Sequence, residues 1–99
     1  MFQMYGVVPP MLTPFQENGE VDYESLKTLV NFLSTHVNGL FINGSYGGGV
    51  LMTEEERRQV AETTIDTAAG RVPVIAGTGS NCTIDAIDLS VSACENGAD

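Results

Sequence analysis

Three glycines that follow helix-like stretches, Gly39, Gly70 and Gly97, recur about every thirty residues, the length of one strand-plus-helix unit. Each interval carries an apolar run, a loop and a stretch with helical spacing. This alternation leaves the chain few options. A helix-length connection brings the chain back to the same end of the sheet, so successive strands lie parallel, with right-handed crossovers. The loops that follow the strands then gather outside their carboxyl ends, where parallel α/β proteins bind ligands.

Taken in order, Gly6-Val7-Val8-Pro9-Pro10-Met11-Leu12 reads as a first strand, although its two prolines cannot donate to a ladder. Gln16-Glu17-Asn18-Gly19-Glu20 is a turn centred on Asn-Gly. Asp22 caps a helix whose apolar face is Leu26, Leu29, Val30, Leu33 and Val37, with Asn38-Gly39 as its stop. Lys27 lies about a quarter turn off that face and reads as a solvated lysine. His36 falls in the last helical turn, as a structural or surface histidine.

Leu40-Phe41-Ile42-Asn43 is a second strand, apolar enough to be covered on both faces. The loop Asn43-Gly44-Ser45-Tyr46-Gly47-Gly48-Gly49-Val50-Leu51 follows. A glycine-dense strand-to-helix loop exposes backbone N–H groups, which suit carboxylates, phosphates or a developing oxyanion. Thr53-x-x-Glu56 is a capping box, and Glu54, Glu55 and Glu56 complement the helix dipole rather than form a catalytic carboxylate pair. Val60, Thr64, Ile65 and Ala68 form the buried face, and Gly70 ends the helix. Val72-Pro73-Val74-Ile75-Ala76 is a third strand, followed by a second glycine loop, Gly77-Thr78-Gly79-Ser80-Asn81. Thr83 caps a third helix with Ile84, Ile87, Val91 and Cys94 on one face, closed by Asn96-Gly97.

Composition removes several function classes. At 42% hydrophobic and 17% charged, the 99 residues suit one soluble globular unit. The only basic side chains besides His36 are Lys27, Arg57, Arg58 and Arg71, and the net charge is −9, which argues against nucleic-acid and anionic-membrane partners. No run is long enough to span a membrane. Met1-Phe2-Gln3-Met4-Tyr5 lacks the basic region of a secretory leader, so a cytoplasmic location is expected. Cys82 and Cys94 lack zinc-site spacing and read as reduced, buried thiols. The dinucleotide fingerprint fails because Cys82 stands where the third glycine belongs, and a Walker A loop fails because no lysine lies near either glycine loop. No metal and no cofactor are expected.

Thr13-Pro14-Phe15, then Gly44-Ser45-Tyr46-Gly47, then Leu51-Met52-Thr53-x-x-Glu56-Arg57, then Val72-Pro73-Val74-Ile75-Ala76-Gly77-Thr78-Gly79 occur in an order and spacing that resemble the dihydrodipicolinate synthase/N-acetylneuraminate lyase family. The resemblance runs from about Gly6 to Asp99. It implies a TIM (β/α)8 barrel in which a lysine on a later strand forms a Schiff base with pyruvate or another 2-keto acid. It also implies that Ser45 binds the keto acid carboxylate and joins a proton relay, and that Gly44, Tyr46 and Gly47 complete the substrate-binding loop. A homotetramer is implied in the same way. Tyr46 stands where the family has a small threonine or serine, which is expected to crowd or reshape the pocket. Gly48 stands where the family has glutamate, which is expected to loosen the loop.

A (β/α)8 barrel takes about 250 residues. Residues 1–99 therefore correspond to its amino-terminal three strand-helix units, stopping before a fourth strand. No counterpart of the Schiff-base lysine is present, and Lys27 does not take that role. Within the family the resemblance points to synthesis of the dipicolinate precursor in lysine biosynthesis. The Pro9-Pro10 pair with Gly39-Leu40-Phe41 also resembles aldolases that cleave 2-keto-3-deoxy sugar acids, and N-acetylneuraminate cleavage stands beside them as an alternative. A non-catalytic half-barrel assembly piece is the expectation of a different class, because three strands leave open sheet edges.

Overall fold

The computed structural model describes residues 3–99. Met1 and Phe2, where the expected partial barrel and the leaderless amino terminus begin, lie outside the described residues. Strand β1 (Leu40–Ile42) pairs in parallel with β2 (Val74–Ala76), Leu40 opposite Val74, Phe41 opposite Ile75 and Ile42 opposite Ala76. Helix α1 (Tyr23–Ser34) precedes β1, α2 (Glu54–Ala68) crosses from β1 to β2, and α3 (Thr83–Glu95) follows β2. The α/β order and parallel pairing follow the alternation in the sequence.

The expected first strand is corrected. Residues 7–11 run beside β1, but among the described residues their one bridge to it is between Pro10 and Phe41. Phe41 N–H donates to Pro9 O at 3.1 Å, and Met11 N–H donates to Phe41 O at 2.8 Å. Neither bond asks a proline for an N–H, and a longer parallel ladder would. Upstream, the Asn38 amide oxygen accepts the Val7 N–H at 2.9 Å, so a side chain does what a strand would otherwise do.

Helix ends follow local chemistry. The Asp22 carboxylate accepts from the Ser25 N–H and Ser25 hydroxyl, and these two bonds hold it below the usual aspartate range. Thr53 and Glu56 form the reciprocal capping box at α2. The end of α2 uses two left-handed residues, Ala69 (φ +50°) and Gly70 (φ +76°). Two boundaries differ from expectation. Helix α1 stops at Ser34, so Val37 reaches the core from a loop, and His36 lies past the helix, stacked on Phe32 with centroids 4.4 Å apart. The cap of α3 is Cys82, and Thr83 is its first helical residue.

The core lies between the sheet and the first two helices. Leu26 and Val30 of α1, Leu40 and Ile42 of β1, Val60 and Thr64 of α2 are fully buried. Each large apolar side chain among them is worth roughly 1.5–3 kcal/mol relative to exposure. The exposed Lys27–Glu24 pair at 3.3 Å is worth under about 1 kcal/mol, so burial decides the packing of α1. On the other face of the sheet, Phe41 and Ile75 are only half-buried, and not closed over as expected for a doubly covered strand.

Helix α3 is the largest departure. It buries Leu89 and Ala93, while Ile84, Ile87, Val91 and Cys94 face outward. Both cysteines are exposed rather than buried. Periodicity identified an apolar stripe correctly, but packing against α2 uses the other side of the helix. Among the described residues, no helix is long and apolar enough to cross a membrane.

The capping box supports a direct test. Thr53→Ala is expected to destabilise the chain by about 1 kcal/mol, the usual worth of such a cap. Urea denaturation followed by circular dichroism measures it, and an unchanged midpoint would contradict the role assigned to Thr53.

Candidate functional site

The chain leaves β1 through Asn43, which is buried and left-handed at φ +59°. Its side-chain amide donates to Arg57 O at 2.9 Å. The loop then closes on itself, with Gly49 N–H to Gly44 O at 3.0 Å and Gly48 N–H to Ser45 O at 3.1 Å. Gly49 sits against the Asn43 carbonyl so closely that a Cβ there would overlap main chain. Gly48 adopts φ +70°, a conformation that strains a glutamate, so the loop geometry matches the glycine found there. A short 3₁₀ turn, Gly49–Leu51, leads to α2. The Ser45 and Tyr46 N–H groups donate to none of the described residues.

Parallel pairing brings the second glycine loop beside the first. Gly77 N–H donates to Ile42 O at 2.7 Å, extending the β1–β2 ladder by one step. Arg57, buried on the first turn of α2, donates from Nη2 to Gly77 O at 2.7 Å and from Nη1 to Gly79 O at 2.8 Å. Between the loops lies a cleft of about 480 Å³. Gly44 and Ser45 form one wall, and Gly77, Gly79, Ser80 and Asn81 form the other. Asn43 and Arg57 lie among the lining residues, with Glu54 and Asp85 contributed by α2 and α3.

Four residues were expected at the substrate loop, and the structure divides them. Gly44 and Ser45 line the cleft. Tyr46 is 75% exposed and does not line this cleft. Gly47 is buried, and a Cβ there would lie 2.9 Å from Met11 O, which makes its role one of close packing. Lys27 and His36 stand on the surface outside the cleft.

Three wall residues escaped the sequence reading. Arg57 carried a signal: it begins the i, i+3, i+4, i+7, i+11 stripe that continues with Val60, Ala61, Thr64 and Ala68, all buried. An arginine inside an apolar stripe is buried for a polar reason. Glu54 serves the first turn of α2 as expected, yet it also meets Asp85 of the next helix across the cleft. Nothing in the spacing of residues 54 and 85 announces that approach.

The Glu54–Asp85 approach pushes the Glu54 carboxyl above the usual glutamate range. The leading cause is a hydrogen bond shared with Asp85, then partial desolvation and repulsion from Asp85, opposed by Arg58. The Arg58–Glu54 contact is 3.2 Å and part-exposed, too weak to reverse the direction. A raised value means that protonation of Glu54 favours the folded chain. That contribution is complete below the ordinary glutamate value and is lost as pH rises through the folded one. Carbon-detected NMR of the Glu54 carboxyl is expected to give a midpoint above the ordinary value, and Asp85→Asn is expected to lower it. A midpoint that Asp85→Asn leaves in place would show that the pair does not interact.

The matches to known proteins agree with this geometry. Residues 3–99 match the model of the dihydrodipicolinate synthetase family. A 4-hydroxy-tetrahydrodipicolinate synthase of Methanocaldococcus jannaschii is 46% identical over 95 residues, covering 95% of this chain and 32% of the relative. The dihydrodipicolinate synthase of Aquifex aeolicus superposes with a TM-score of 0.92 at 41% identity, over 97% of this chain and 33% of that one. An N-acetylneuraminate lyase of Mycoplasma synoviae superposes with a TM-score of 0.90 at 34% identity, over 95% and 33%. The chain thus spans about a third of the length of the curated relatives it matches. With the family model covering all described residues, the chain belongs to the dihydrodipicolinate synthetase family.

Proposed function

We propose that this chain is the amino-terminal part of a (β/α)8 Schiff-base aldolase or lyase acting on pyruvate or another 2-keto acid, and that its reaction is that of 4-hydroxy-tetrahydrodipicolinate synthase in lysine biosynthesis. The loop after β1 is the observation that carries this. It offers a serine hydroxyl at Ser45, which lines the cleft, and the Ser45 and Tyr46 N–H groups, which have no partner among the described residues. A carboxylate is well met by converging hydroxyl and backbone N–H donors, and needs no cationic side chain. A solved synthase from Acinetobacter baumannii, 37% identical over 95% of this chain, is a complex with pyruvate.

In this reading, Gly44 lets the backbone pass over the Phe41 ring. Ser45 then donates its hydroxyl hydrogen to the keto acid carboxylate and relays a proton during carbon–carbon bond formation. The Tyr46 N–H adds a second donor, and Gly47 keeps the turn tight. Schiff-base formation needs an amine, and Lys27 does not supply it: it is exposed and already beside Glu24 at 3.3 Å. The amine belongs to a later strand of the complete enzyme. A homotetramer follows from the family resemblance, and sedimentation of the complete enzyme tests it.

N-acetylneuraminate or 2-keto-3-deoxy sugar acid cleavage is the second reading. The near-equal superposition on a lyase favours it. Turnover of either sugar acid by the complete enzyme, with none of the synthase reaction, would decide for it.

Two measurements test the first reading. In the complete enzyme, Ser45→Ala is expected to lower kcat/KM for pyruvate by roughly 10- to 100-fold, the loss of one hydrogen bond to a charged group at about 1.5–3 kcal/mol. Unchanged kinetics would remove Ser45 from the site. Separately, the 99-residue chain treated with pyruvate and borohydride is expected to gain no mass on Lys27. An adduct there, located by peptide mass spectrometry, would overturn the assignment of the amine to a later strand.

A further inference from the structure

We propose that Arg57 is a positioning residue that locks the two glycine loops to one another and thereby sets the shape of the Ser45 site. Arg57 is 7% exposed, and a guanidinium so deeply buried is costly unless its donors are met. Two of them are met here, by main-chain carbonyls and not by a carboxylate, while the buried Nε–H has no partner among the described residues. Nη2 takes Gly77 O at 2.7 Å and Nη1 takes Gly79 O at 2.8 Å. These carbonyls belong to the loop after β2. On its other side, the Arg57 carbonyl accepts the Asn43 side-chain amide at 2.9 Å, and Asn43 is the left-handed residue that starts the loop after β1. One residue therefore holds the second loop by its side chain and the first by its backbone.

The two contacts differ in what they add. Gly77 is already tied to β1 through its N–H to Ile42 O. Among the described residues, the hydrogen bond of Gly79 is the one from Arg57, whereas Thr78 is held separately by the Ser90 hydroxyl of α3 at 2.9 Å. Carbonyls two residues apart suit the fixed spacing of a planar fork, and a lysine brings one nitrogen where two are used. The buried guanidinium also places positive charge beside the loop that the keto acid carboxylate approaches, opposed in the same cleft by Glu54 and Asp85. This last step rests on the keto acid reading of Ser45, whereas the mechanical locking does not.

Hydrogen exchange and steady-state kinetics of the complete protein, wild type and Arg57→Lys, separate the two. Exchange in residues 43–49 and 77–81 is expected to accelerate together by at least about tenfold, as befits loss of a charge-assisted hydrogen bond, with α1 unchanged. The KM for pyruvate is expected to rise at least about tenfold with kcat changed less than about threefold, as for a lost binding geometry. Arg57→Ala is expected to reproduce the pattern more strongly, and if it does not fold, Arg57→Lys alone decides. Exchange that is unchanged, faster in one loop only, or equally faster in α1 would overturn the locking. Faster loops with an unchanged pyruvate KM would overturn the link to the Ser45 site. Should the wild type bind no keto acid, the proposed function fails, and the exchange comparison still judges Arg57.

Discussion

Main-chain pairing of Leu40–Ile42 with Val74–Ala76 in parallel puts the ends of both strands on the same side of the molecule. Everything at the cleft depends on that. The ladder runs one step past the strands through Gly77, whose Cα lies so near the Asn43 carbonyl that a Cβ would sit 2.7 Å from it. Gly49 presses on the same carbonyl from the other loop. Two glycines thus share one backbone atom, and the loops lie closer than any side chain between them would allow. Arg57 then reaches Gly77 O and Gly79 O at this junction from the helix that connects the two strands, while its own Nε and Asn43 Oδ1 find no partner among the described residues.

The residues that hold the fold and those that face the cleft come from the same short segments. In β1, Leu40 and Ile42 turn into the core while Phe41 turns the other way and floors the cleft beneath Gly44. In α2, the face that buries Val60, Ala61, Thr64 and Ala68 also delivers Arg57. Alternation along a strand and the 3.6-residue turn of a helix make this economical, since each element has one side for packing and one position left for chemistry. It also ties the cleft's geometry to the packing of the core.

Legibility in the sequence followed how local each feature was. The capping box at Thr53 and Glu56, the Asn18-Gly19 turn and the Asp22 cap are set within four residues, and all appear where the sequence puts them. The first strand was legible only in part. Pro9 and Pro10 permit one bridge and forbid a ladder, and which of these results depends on the partner strand's register. Helix α3 misled because Ile84, Ile87, Val91 and Cys94 make the more apolar stripe, whereas α2 receives the smaller face of Leu89 and Ala93. Periodicity reports a face without saying what meets it.

For the cleft, the sequence alone determined that two glycine loops follow two parallel strands, and that Gly44 and Ser45 lie on the first of them. Strand period, helix length and glycine placement are properties of the local chain, and they suffice for that. Only the tertiary structure decided that Tyr46 points to solvent, that Glu54 meets Asp85, and that Arg57 bridges both loops. These depend on side chains of α2 and α3 meeting residues up to 31 positions away in the chain, as Glu54 and Asp85 do. Such distances are set by how the helices pack on the sheet, and no spacing within a single segment encodes them.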